Sequence, residues 1–153
     1  MTARHILGVL DGEDCSLWRT FDCAVALAGA DHATLVLAKT TDPGRMIRWL
    51  GPVALHSMAI SPEDLDFRRL ASHTLARMTE FVPAEIPVTT RVLAQNTADA
   101  LIALIRHGCF DTLVAGEAIV SRRRLQSELR RLGLRAIVPP GTASPAPGAR
   151  SSP

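Results

Sequence analysis

Aromatic side chains are scarce in this 153-residue chain, at 4% of the total with no tyrosine. That leaves few platforms on which the bases of a single-stranded nucleic acid could stack. No apolar run approaches the roughly 20 residues that a membrane helix needs, so no bilayer span is expected. Arg4 and His5 lead straight into an apolar strand, which is not the pattern of a signal peptide, and a cytoplasmic location is expected. Lysine is almost missing: Lys39 is the only one, and the remaining positive charge is arginine. A formal net charge of +2 is too small to imply a nucleic-acid partner by itself, and none is expected. The three cysteines, Cys15, Cys23 and Cys109, fit neither a zinc site nor a redox CxxC pair. They read as small buried hydrophobes in a reducing compartment.

Catalytic signatures are absent as well. His5, His32, His56, His73 and His107 form no i, i+4 pair with an acidic partner at metal-ligand spacing, so no metal site is expected. Ser16, Ser57 and Ser61 have no G-x-S-x-G elbow, and no cysteine stands in the context of a thiol nucleophile. Glu63, Asp64 and Asp66 fall in the expected first turn of a helix, where the dipole favours acids without any catalysis. No residue is nominated as catalytic.

What is present is an alternation of strand-like and helix-like segments. The chain is 47% hydrophobic and 21% charged, and its length suits one domain with a substantial core. "HILGVL" (5–10) is a short apolar strand ending at the turn pair Asp11-Gly12. Leu17, Phe21, Ala24, Val25 and Ala28 recur at helical spacing over 14–30, and "ATLVLA" (33–38) is a second strand. Pro43-Gly44 and Gly51-Pro52 break the following segment, which reads as a long loop over 40–60. Ser61, Pro62 and Asp64 then signal a helix start. "PVTTRVLA" is a third strand, a helix capped by Asn96 or Thr97 closes at Gly108, and "DTLVAG" is a fourth strand. A helix over about 121–132, closed by Gly133, leads to a last strand, "LRAIV". Five strands alternating with four helices predict an open parallel α/β sheet with helices on both faces, and ligands at the carboxyl ends of its strands. The domain is expected over 1–139, followed by a disordered Pro/Ser/Ala-rich tail at 140–153.

The order of these pieces resembles the universal stress protein family. "RHILGVLDGEDCSLWRTFDCAVALAGADHATLVLAKTTD" is similar to that family's opening, in which a strand ends in Val-Asp-Gly-Ser before a long helix and a second strand. "VTTRVLAQNTADALIALIRHGCFDTLVAG" is similar to its second half, which runs into Asp-Leu-Ile-Val-Met-Gly. The resemblance implies a Rossmann-like fold, a stress-response role and dimerisation through the fifth strand. "LRAIV" would be an exposed apolar edge if unpaired, which is an independent reason to expect a homodimer, and a further protein partner is open.

Family members that bind ATP carry a Gly-x2-Gly-x9-Gly-Ser/Thr pattern after the fourth strand. Gly116 fits its first glycine, but the second falls on Ile119 and the final pair on Leu129-Arg130. Shortening the loop by about three residues puts Gln126-Ser127 at the last pair instead. A phosphate loop needs glycine for positive φ and for close approach to the oxygens, and Ile119 denies both. Arg122, Arg123 and Arg124 offer guanidinium forks in partial compensation. The resemblance further matches Asp11 to the aspartate at the adenosine end and Ala38 to the backbone that meets adenine. The residues to follow are therefore Asp11, Ala38, Gly116, Ser127, Arg122, Arg123 and Arg124. A regulatory or interaction module without the usual ATP site is the first expectation, with no cofactor. An ATP-binding switch or slow ATPase, using ATP with magnesium and arginines in place of glycines, is the alternative.

Overall fold

In the computed structural model, the described residues are 4–11, 15–40, 67–93 and 97–140. The loop expected at 40–60 beyond Thr40, the helix start at Ser61 to Asp64, the cap at Asn96 and the tail beyond Pro140 lie outside them.

Five parallel strands form one sheet in the order β3-β2-β1-β4-β5. They are β1 (His5–Leu10), β2 (Thr34–Thr40), β3 (Val88–Leu93), β4 (Thr112–Val114) and β5 (Arg135–Ile137). β1 is central, and Ile6 to Leu10 are all buried, because a parallel strand covered on both faces has no solvent side. β3 is an edge, and it shows Thr89, Thr90 and Arg91 to solvent. β1 pairs with β2 from His5↔Thr34 to Leu10↔Lys39, so β2 ends one residue beyond β1, with Thr40 level with Asp11.

Alternation along the strands divides the interior into two cores. Ile6, Leu10, Leu35 and Leu37 face α1 (Cys15–Asp31) and α2 (Phe67–Thr79), which contribute Leu17, Phe21, Leu75 and Met78. Leu7, Val9, Ala38 and Leu113 face the opposite way. They meet α3 (Thr97–His107), the short α4 (Glu117–Val120) and α5 (Arg123–Leu132). The expected parallel sheet with helices on both faces is therefore present.

The differences in detail have local causes. The single helix expected over 121–132 is two, because the chain makes one turn at Glu117–Val120, with Ser121 as its C-cap, before α5 begins. Gly133 closes α5 at φ 68, with its N–H and that of Leu134 returned to Arg130 and Leu129. This is a left-handed cap that glycine adopts without a Cβ penalty. Gly108 closes α3 for another reason: a Cβ there would lie 2.2 Å from the Phe110 ring. The expectation of buried cysteines fails for Cys109, which is exposed, while Cys23 is half-buried against α1's core. Burial pushes the Cys23 thiol pKa up, which makes it a poor nucleophile at neutral pH.

Candidate functional site

The chain lays β2 and β3 on one side of β1, then crosses to β4 and β5 on the other. That reversal is a topological switch point, and the crevice such sheets offer to ligands lies at the carboxyl ends of β1 and β4. Asp11 directly follows β1, and Gly116 lies two residues past β4. These two of the sequence-derived residues therefore flank the crevice.

Asp11 is half-buried and engaged: the Thr40 hydroxyl donates to its Oδ1 at 3.0 Å. Thr40 ends β2 and is itself 6% exposed, so this bond ties the rims of adjacent strands together. Ala38 pairs with Val9 and Arg91 and is fully buried in the α3–α5 core. Its methyl group is core, so only its backbone could meet a ligand. Sequence reasoning did not single out Thr40 or Lys39. The parallel register was the missing signal, since it sets Lys39 beside Leu10, level with the start of the Asp11 turn. Lys39 is 6% exposed, an unusual degree of burial for lysine.

The segment after Gly116 determines what the crevice can hold. Gly116 has φ −66 and ψ 160, an extended conformation open to any residue. Its carbonyl accepts from the N–H groups of Ile119 and Val120, each at 3.1 Å, and the Ser121 N–H goes to Glu117 at 2.9 Å. Those are amides that a phosphate loop would turn toward oxygens, and here they close a helical turn. The Ile119 side chain is 1% exposed and lies among Leu125, Leu129 and the α3 leucines. The second glycine position of the nucleotide pattern is thus a core anchor, which does not fit a triphosphate held by loop backbone.

The three arginines of the same motif separate. Arg124 forms an ion pair with Asp99 of α3. Arg122 is the N-cap residue of α5 without a side-chain cap bond, and Arg123 is the first helical residue; both are exposed. Ser127 is exposed in the second turn of α5. A second clasp joins α3 to α5, in which Arg106 reaches both carboxylate oxygens of Glu128 at 3.3 and 2.5 Å and Arg131 adds a bond at 2.9 Å. Hydrogen bonds from Arg106 first and Arg131 second hold the Glu128 carboxyl down at about 2. A depressed carboxyl keeps its charge through the ordinary glutamate range and gives up its partners only as the pH falls toward the lowered value. Among the described residues, no group of three or more His, Cys, Asp and Glu side chains could hold a metal ion.

An open parallel sheet whose strand order reverses between β1 and β4 defines the class: a doubly wound α/β protein. Within that class the chain has the fold of the universal stress proteins. A universal stress family protein from Burkholderia pseudomallei is 22% identical with a TM-score of 0.60, covering 90% of this chain and 96% of that one. A universal stress protein solved in complex with cAMP is 20% identical with a TM-score of 0.53, covering 90% and 97%. A family protein from Arabidopsis thaliana with AMP bound is 8% identical with a TM-score of 0.54, covering 88% and 90%. No protein-family model matches the sequence, and no curated protein matches it.

Proposed function

We propose that the chain is a universal stress protein-like regulatory or interaction module of the cytoplasm, homodimeric, which does not hold ATP in the family's usual manner. In this reading, residues 1–139 are its single domain. The observation that carries this reading is the Gly116–Val120 turn, whose amides bond internally and whose Ile119 fills the space beneath. Calorimetric titration with ATP and magnesium, after mass spectrometry for carried-over nucleotide, is the test. The expected result is no saturable heat up to millimolar ATP, and micromolar binding would sink the reading.

Dimerisation rests on the free side of β5. Ala136 is exposed and Val138 is 40% exposed beside it, while Ile137 leans into the α1 core. Apolar groups on an open strand edge favour pairing with a second copy. Val138→Lys is the cleaner probe because Ile137 also serves the core. It is expected to shift the species seen by light scattering from dimer to monomer, and an unchanged dimer would refute this interface.

A second reading is an ATP-binding switch or slow ATPase. It is favoured by the fold shared with the cAMP and AMP complexes, and by Asp11 and Gly116 at the carboxyl ends of β1 and β4. A nucleotide with one phosphate asks less of the loop than ATP does. This reading requires nucleotide binding that is lost on Asp11→Ala in the same titration.

A further inference from the structure

Charge in this chain is segregated. Residues 122–135 contain six arginines against one acid, Glu128, a local charge of +5 in a chain whose total is +2. The remainder is therefore net −3, so the basic character belongs to α5 and the start of β5 alone.

The arginines divide into two groups. Arg124 is committed to Asp99, and Arg131 shares Glu128 with Arg106. Arg122, Arg123, Arg130 and Arg135 are exposed, and their side chains form no hydrogen bond or ion pair among the described residues. Helix geometry decides the direction in which they project. Leu125 and Leu129 are the buried stripe of α5. Arg123, Ser127 and Arg130, at i, i+4 and i+7, share the stripe opposite to it. Arg123 and Arg130 stand about 10 Å apart along the axis. Arg122 precedes this stripe as the N-cap residue of α5, and Arg135 follows it in the chain, two residues past the Gly133 cap.

We propose that the outward stripe of α5, bearing Arg123, Ser127 and Arg130 and flanked in the chain by the exposed Arg122 and Arg135, docks the phosphate backbone of double-stranded nucleic acid without reading its sequence. Guanidinium forks and a serine hydroxyl are donors suited to phosphate oxygens. The stripe carries no apolar anchor of the kind that forms the dry centre of a protein interface. The scarcity of aromatics argues against base stacking, and so against single strands, but it leaves backbone contact to a duplex unaffected. A net charge of +2 gave no hint of this surface because the acids elsewhere in the chain conceal it. Arg123 and Arg130 lie along one stripe of the helix, and Arg122 and Arg135 add two exposed cations next to it in the chain.

Fluorescence anisotropy of the full chain with a labelled 20-base-pair duplex tests the proposal across about 50–200 mM salt. Four phosphate contacts give a slope of log affinity against log salt of about −3.6. Arg123→Ala/Arg130→Ala is expected to lower affinity at least tenfold at the low-salt end and to bring the slope to about −1.8. The paired control, Arg77→Ala/Arg91→Ala, removes two exposed arginines from α2 and β3 and is expected to leave binding within about twofold. Circular dichroism melting of each variant separates loss of binding from loss of fold. No duplex binding at low salt, equal losses in both double variants, or tighter capture by phosphatidylserine vesicles or polyglutamate than by the duplex would each overturn the proposal.

Discussion

Ile119→Ala is expected to cost about 3 kcal/mol of folding stability, seen as a lower urea midpoint with an unchanged slope and a melting temperature down by roughly 10 °C. The side chain is 1% exposed and belongs to the α3–α5 core beside Leu125 and Leu129. Truncation removes its transfer free energy and leaves a cavity between elements that cannot close up freely. The short turn of α4 has four residues, too few to be stable by hydrogen bonding alone. Ile119 is what holds it down. The same measurement bears on the proposed function, because a firmly anchored turn resists opening to present its amides to a phosphate. A loss below about 1 kcal/mol would show that the turn is only loosely seated. The phosphate-loop reading would then regain ground, with ATP titration of the variant as the direct check.

Much of the fold was legible in the sequence because the strands are short apolar runs and the helices carry clear apolar spacing. His5 to Leu10 and Thr97 to His107 match the expected segments almost residue for residue. Gly133 was readable as a cap because a glycine just past an apolar-periodic helix has one common use. The turn at Glu117–Val120 was not readable, since four residues are too few to show a helical period. Its sequence was already visibly unsuited to phosphate, but only the structure shows that Ile119 is part of the core. The two rims of the crevice could be placed from strand order. The Thr40 to Asp11 bond could not, because it depends on Thr40 standing level with Asp11, which sequence pattern does not set. Likewise, six arginines look alike in a string. Asp99 and Glu128 select two of them through contacts 25 and 3 residues away in the chain, leaving the others to solvent.

Those α3–α5 ion pairs also bear on how the crevice keeps its shape. Asp99 with Arg124, and Arg106 with Glu128, bind α3 to α5, while Arg131 shares Glu128 within α5. Exposed pairs of this kind contribute little one by one. Their sharing of Glu128 sets the direction of two arginine side chains, and so keeps those charges along the α3 flank and away from the outward stripe. The division between structural and available arginines is thus a product of the packing.

Gly8→Val is expected to be the other severe substitution, costing about 3 kcal/mol or more and reducing soluble yield. Gly8 lies in the middle of β1, paired with Leu37 on one side and Val114 on the other. A Cβ at this position would stand 3.1 Å from the Ala24 Cβ of α1 and 3.3 Å from the Leu37 side chain. Ala24 has no rotamer to change, so relief requires α1 to move off the sheet. Valine has high strand propensity, and on that ground alone the change would be stabilising. The steric term is larger because both neighbours are fully buried and close-packed. Displacing α1 would also disturb the end of β1, where Asp11 accepts from Thr40. Thermal melts and the amide shifts of Asp11 and Thr40 would report both effects. A Gly8→Val protein with wild-type stability would mean that α1 can move outward at little cost, and that the tight helix–strand contact does not set the position of the crevice rim.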